Sequence, residues 1–226
     1  MRSPLTKIID LTMPIEDHLR WRVERKLPGD FSQGDQFQVT WAGWAVHGFT
    51  HMDSPRHILP DGKTTDDIPL DTVVGGCAVF DLSDIEDNAP IGPEKLIKAN
   101  RDLSPGDIAL IKAEWDLRYS NKTAEFWTQA PYMTREAAQW LLESGVKSVA
   151  FDFPQDYPIR LLLKKEVAPI AEFVTHDILL RHGIILIEYL CNTAKVKTSR
   201  ATLVALPLKI PNSDGAPARV IAIDEG

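Results

Sequence analysis

The sequence predicts a single α/β domain, and three observations carry that expectation. Two segments share one order of elements: a helix, a glycine, then an apolar strand that ends on a carboxylate. They run from Thr134 to Asp152 and from Thr175 to Glu188. Such alternation suits strands buried on both faces by the helices that connect them. Further β-branched runs are spread along the chain. No internal repeat, low-complexity tract or Gly/Ser linker divides its 226 residues, so residues 1–226 read as one domain.

Taken in order, strands are expected at Lys7–Leu11, Gln38–Val46, Cys77–Leu82, Asp107–Lys112, Val146–Asp152, Ile184–Glu188, Leu203–Leu206 and Arg219–Ile223. Helices are fewer. Pro93 stands at the first position of the run to Lys98, where its missing N–H costs nothing. Thr134 is placed to cap Arg135–Glu143, with Gly145 as its stop, and His176–His182 reads as a short helix ended by Gly183. The segments Ser54–Leu70 and Trp115–Gln129 are rich in polar and turn-forming residues and read as long loops, a length at which loops are often functional.

Composition excludes several classes. A net charge of −7 with no long basic run argues against a nucleic-acid surface, which needs a local excess of Lys and Arg. No stretch approaches the roughly 20 apolar residues of a membrane span, and the N-terminal MRSPLTKIIDLT is too weakly apolar for a signal peptide. Two cysteines, Cys77 and Cys191, make neither a disulfide framework nor a thiolate metal site, and are expected as reduced, buried thiols of a cytoplasmic protein.

The chemistry concentrates in VHGFTHMDSPRH, residues 46–57, which holds three of the six histidines. His47, Phe49, His51 and Asp53 alternate, so a strand would point them to one face. Pro55 would end that strand and leave His57 on the loop beyond, free to fold back over the group. Three separate surface or core histidines are the plain alternative. Burying such groups together without a cation is costly, and imidazole with carboxylate suits zinc, manganese or iron. More ligands are then needed from a distance. His176 opens the last predicted helix and Glu188 closes the strand after it, which returns both to one edge of the domain, whereas His182 sits at the helix C-terminus, where a cation suits the dipole. Trp21, Trp44, Phe49 and Trp115 are candidates to line a pocket for a flat ring, or alternatively core residues.

These residues carry a resemblance. Residues 47–57 resemble the H-x-G-T-H-x-D-x-P-x-H signature of the cyclase family, which includes bacterial kynurenine formamidases and isatin hydrolases, and keep six of its seven fixed positions. His176-Asp177-Ile178-Leu179-Leu180, Gly183-Ile184, Glu188 and Asn192 are similar to the family's later motif. Weaker likeness covers Ile9–Thr12, Asp66–Leu70 and Leu141–Asp152. The resemblance implies a swivelling β/β/α fold, assembled as a homodimer or homotetramer. It implies one or two divalent ions, zinc or manganese, held by His47, His51, Asp53, His176 and Glu188, with His57 as catalytic acid/base. It also implies a metal-dependent hydrolase of a small amide, formamide or lactam C–N bond. A cyclase, dehydratase or lactone hydrolase on the same site is the alternative within enzymology, and a non-catalytic metal-binding protein the alternative outside it. The chain departs from the family at Phe49, which stands where the signature has glycine, at Lys112–Trp115 and at Asp152–Asp156, all of which bear on the substrate. Phe49, Trp115 and Trp21 are the expected substrate contacts.

Overall fold

Strand pairing curls the main sheet until its two edges meet. The computed structural model describes residues 7–224; the first six residues of the stretch read against a signal peptide lie outside the described residues. In chain order the strands are β1 (Lys7–Asp10), β2 (Glu24–Gly29), β3 (Val39–Gly43), β4 (His51–Asp53), β5 (Val74–Asp81), β6 (Pro90–Ile91), β7 (Ile108–Lys112), β8 (Tyr132–Met133), β9 (Ser148–Phe151), β10 (Ile185–Glu188), β11 (Arg200–Pro207) and β12 (Gly215–Asp224). Between them lie α1 (Pro93–Ala99), α2 (Trp115–Arg118), α3 (Ala124–Thr128), α4 (Arg135–Glu143) and α5 (Val174–Ile178).

Seven strands close in the order β12-β11-β5-β7-β9-β10-β4 and back to β12, a mixed α/β barrel-like sheet, with β1 added beside β12. Neighbours β5, β7, β9 and β10 run parallel, and β7, β9 and β10 are buried at every position, as continuous apolar runs between two covered faces should be. Alternation divides their side chains. Cys77, Val79, Ile108, Leu110, Ile185, Ile187, Leu203 and Val220 join one cluster, which fills the ring. Phe80, Ile111, Val149, Phe151 and Leu186 join another with Leu96 of α1 and Ala137, Ala138 and Leu141 of α4, which cover the ring from outside.

The helix signals act as read. Thr134 Oγ1 accepts from Ala137 N–H at 3.2 Å, Pro93 is the first residue of α1, and Gly183 adopts φ +84 at the end of the turn after α5. Four expectations need correction. The strand expected at Gln38–Val46 is the shorter β3, and it lies outside the ring in a hairpin with β2, a strand whose charges and Pro28 hid it. The Trp115–Gln129 loop contains α2 and α3, whose four and five residues are too short for a periodic signal. The helix expected at His176–His182 is α5, begun two residues earlier, followed by a 3-10 turn at Leu180–His182. Cys77 is buried as expected, but Cys191 is partly exposed; both are free.

Candidate metal centre

Register in the ring builds the floor of the site. β4 pairs antiparallel with β10, setting His51 opposite Glu188 and Asp53 opposite Leu186. Met52 and Ile187 point into the ring core, so His51, Asp53 and Glu188 share the outer face. The single-face reading of residues 47–53 is corrected here, because His47 does not lie on this strand. Phe49 has φ +60, a left-handed turn that breaks the alternation, and His47 sits in the turn before it. The His47 ring is brought back against β12, where a Cβ on Gly215 would fall 2.6 Å from its Cε1, a close approach that only glycine permits. Pro55 opens a 3-10 turn at Pro55–His57 that folds His57 over the group, 3.9 Å from the His47 ring, centroid to centroid. α5 brings His176 from the opposite side.

Three imidazoles converge on one carboxylate. Asp53 Oδ1 lies 2.7 Å from His47 Nδ1 and 3.1 Å from His51 Nε2, and Asp53 Oδ2 lies 3.3 Å from His176 Nε2. Glu188 stands 3.6 Å from His176 Nε2 and 3.9 Å from His51 Nε2. Ligand atoms of His47, Asp53 and His57 lie within 4.8 Å of one another, as do those of His51, Asp53 and Glu188. Asp53 belongs to both groups, and His57, expected as the catalytic acid/base, is also within reach of a metal.

The outer partners test whether a cation fits. His51 Nδ1–H donates to the carbonyl of Phe49 at 2.8 Å, because a carbonyl can only accept. Its Nε2 is then left facing two carboxylates. His176 repeats this pattern: Nδ1 meets Asp156 Oδ2 at 2.7 Å, and Asp156 is itself held by the backbone and hydroxyl of Thr175. The Nε2 of His47 meets Asp214 Oδ2 at 2.8 Å. Each ring thus has one nitrogen fixed from outside and the other aimed at Asp53, the way metal-ligating histidines are oriented. Lone pairs facing buried carboxylates repel unless protons or a cation stand between them, so the residues fit a divalent ion. Gln155 adds a further fixture, its amide N–H donating to Glu188 and, at 3.4 Å, to Thr175 Oγ1.

Electrostatics without an ion agrees with that tension. Burial alone would push the Asp53 carboxyl up, yet the surrounding imidazoles, His51 first, hold it well below the usual carboxylate range. Burial opposes a charge on His47, but its hydrogen bonds and charge contacts with Asp53 and Asp214 outweigh that and raise it to about 9. His176 is likewise held well above its ordinary value, against burial, by Asp156 and Asp53. His57 moves the other way: burial, helped by the charges of His47 and His176 and opposed by Asp53, lowers it, favouring the neutral ring.

A cavity of about 410 Å³ opens over the cluster. Its walls are Ile58, Ile159, Leu162, Ile170 and Phe173, and Arg20 and Tyr189 also reach it. The three aromatic residues expected to touch substrate are not in this lining. Trp115 is fully buried with its indole N–H on the Phe126 carbonyl, while Phe49 and Trp21 pack together, ring centroids 4.9 Å apart, in the outer core. Their size and apolarity were better satisfied by burial than by the pocket. His182 bonds the Ile178 carbonyl, a helix-end role as read. Sequence reasoning missed Asp214, which lies in a turn with no motif, as well as Arg20 and Tyr189. Asp156 and Gln155 stood in the departing Asp152–Asp156 stretch, but nothing in its pattern marked them as supports for the ligands.

Fold and site define a class: an α/β barrel-like domain that presents imidazoles and carboxylates to one cavity, a donor set of the kind metal-dependent hydrolases use. The chain belongs to the cyclase family, whose sequence profile, described as "Putative cyclase", matches residues 9–155. It is 31% identical over 182 residues to a kynurenine formamidase of Salinibacter ruber, covering 80% of this chain and 77% of that one. A kynurenine formamidase of Bacillus anthracis is 28% identical over 231 residues, with 96% and 97% covered. Among solved structures, a predicted metal-dependent hydrolase from Bacillus stearothermophilus is similar with a TM-score of 0.72 at 26% identity, covering 97% of this chain and 98% of that one. Isatin hydrolase A from Labrenzia aggregata shares the fold with a TM-score of 0.78 at 22% identity, with 98% and 94% covered.

Proposed function

We propose that this chain is a metal-dependent hydrolase that cleaves a small amide, formamide or lactam C–N bond. The observation that carries the reading is the convergence of His47, His51 and His176 on Asp53, each ring steered by an acceptor on its far nitrogen. Its kinship with kynurenine formamidases supports the choice of bond. The ligand set is His47, His51, Asp53, His176 and Glu188, for one or two ions of zinc or manganese. A divalent ion bound there supplies Lewis acidity to the scissile carbonyl and lowers the pKa of a water toward about 7.

The chain's own residues do the rest. His57 is held neutral by burial, and Asp214 Oδ2, 3.6 Å from Nδ1, favours the tautomer with the proton on that side. Nε2 is then the base. It accepts a proton as the water oxygen adds to the carbonyl carbon, and returns it to nitrogen as the C–N bond breaks with its electron pair on that atom. The apolar walls and the roughly 410 Å³ volume favour a substrate of about one ring and exclude bulk water. We place the swivelling β/β/α arrangement, one functional unit over residues 1–226, a cytoplasmic location and a homodimer or homotetramer in the same reading. In support of assembly, the β2–β3 hairpin exposes Leu27, Phe31, Phe37 and Trp41. In support of location, no helix among the described residues is long and apolar enough to cross a membrane.

Metal analysis of purified protein, with a screen of formamides, cyclic imides, lactams and lactones, tests the reading. Stoichiometric divalent metal is expected, lost in His51→Ala and Glu188→Ala, and full occupancy in both variants refutes the ligand set. His57→Ala is expected to keep its metal and lose turnover by about 100-fold or more, the usual scale of a general acid–base group. Unchanged turnover would remove His57 from the mechanism.

A further inference from the structure

Arg20 stands apart from the cluster but opens onto the same cavity, and it is the only lysine or arginine to do so among the described residues. Several other arginines are forked or paired onto carboxylates, among them Arg200 onto Asp107, Arg219 onto Asp10 and Arg181 onto Asp177. Among the described residues Arg20 has no such partner. Its guanidinium carbon lies 4.6 Å from the ring centre of Trp127 and 5.6 Å from that of Trp21. One N–H donates to Tyr189 Oη at 3.2 Å, which leaves most of its five donors open.

The presentation is built rather than incidental. The Nε2–H of His18 donates to the Asn121 carbonyl at 2.8 Å, and its Nδ1 accepts the backbone N–H of Arg20 at 3.1 Å. Stacked 4.4 Å from Trp21, the His18 ring therefore fixes the turn from which Arg20 projects. Tyr189 is only 2% exposed, and its hydroxyl, an acceptor from Arg20, donates to no acceptor among the described residues. Tyr189 follows Glu188 directly and adopts φ +58, which swings its ring toward His51, 5.5 Å away between centroids. A cation with open donors thus meets a buried hydroxyl with a free proton, on the residue that directly follows the candidate ligand Glu188.

We propose that Arg20 and Tyr189 Oη form a carboxylate-binding subsite, so that the substrate is a small amide that also carries a carboxylate. The proposal rests on the C–N hydrolase reading above. A planar guanidinium matches a carboxylate in geometry, and aromatic faces stabilise its charge without occupying its in-plane donors. One permanent cation in an otherwise apolar wall fits a monoanion rather than a phosphate, whose two charges call for several donors.

Turnover and binding test the subsite separately, both on full-length, metal-loaded protein. In the first arm, kcat/KM is compared for 2-formamidobenzoate and for formanilide, which lacks the carboxylate. The wild type is expected to prefer the acid, and Arg20→Gln to lower that preference about 10- to 100-fold, the scale of a charge-assisted hydrogen-bonded contact. Arg20→Lys is expected to fall between them. A merely structural Arg20 would slow both substrates together and leave the ratio where it was, and that result overturns the proposal. The second arm measures the Kd of benzoate and of benzamide by calorimetry. Benzoate is expected to weaken at least tenfold in Arg20→Gln while benzamide changes less; equal benzoate affinity in both proteins overturns the subsite. If the wild type cleaves none of the formamides, cyclic imides and lactams of the screen above, the C–N reading falls, while the binding arm still decides the subsite.

Discussion

Phe49 occupies a backbone conformation that favours glycine, and substituting it gives an order of stabilities opposite to the usual one. Its φ of +60 places it in the left-handed region, where a non-glycine residue costs about 1–2 kcal/mol. Its ring is 1% exposed and packs on Trp21 and His18. Removing a core phenylalanine side chain costs about 3–5 kcal/mol, so both Phe49→Ala and Phe49→Gly are destabilised. Alanine keeps the backbone strain, whereas glycine escapes it. Elsewhere in a regular element glycine is worse than alanine by about 0.5–1 kcal/mol. At this position glycine is better by about 1 kcal/mol net. With a slope of about 2 kcal/mol per molar urea, Phe49→Gly should unfold about 0.5 M higher than Phe49→Ala. Urea unfolding followed by tryptophan fluorescence, with a chelator present so that ion loading does not differ, reads this directly. An alanine variant as stable as the glycine variant, or more so, refutes the reasoning.

Two further predictions concern supports of the site. Gln155→Ala frees Glu188 from its amide donor and should weaken zinc or manganese binding by about 10- to 100-fold, measured by competition with a chromophoric chelator; unchanged affinity would show that Glu188 needs no such support. Asp152 is wholly buried, and burial raises its carboxyl from 3.8 to about 7 against the hydrogen bonds from Thr193, Ala113 and Glu114. Between those values the folded chain holds a proton that the unfolded chain has released. Its contribution is therefore full below pH 4 and declines as pH rises to 7, by up to about 4 kcal/mol. Urea midpoints from pH 4 to 8 should fall for the wild type relative to Asp152→Asn, and parallel curves would refute the shift.

The ring was legible where burial is two-sided. β7, β9 and β10 announce themselves as apolar runs because both faces are covered and polar residues are confined to the strand ends, at Lys112, Ser148 and Glu188, and their ends followed to within about two residues. The hairpin of β2 and β3 was hidden for the reverse reason. Solvent on both sides permits Arg25, Lys26 and Pro28, and no alternation is enforced. At the site, the cluster of residue types was visible but its geometry was not. Alternation assigns His47 to the strand of His51, whereas a left-handed Phe49 places it in a turn, and the convergence on Asp53 is made by tertiary closure. The groups that hold the imidazoles were the least visible. Asp214 is 167 positions from His47 and meets it only because β4 and β12 join the two ends of the ring.

That the outer face of β4 and β10 carries the chemistry while their inner face fills the ring has a bearing on how such a protein can change. The cavity walls at Ile58, Ile159, Leu162, Ile170 and Phe173 come from turns and short 3-10 segments between the strands. None of these five belongs to the cluster that fills the ring. A substitution there alters what the pocket admits without disturbing the packing that closes the sheet. At the exposed Leu162 and Ile170 selectivity can then drift at little thermodynamic risk, whereas Ile159, 3% exposed and part of the outer core, couples the pocket to stability.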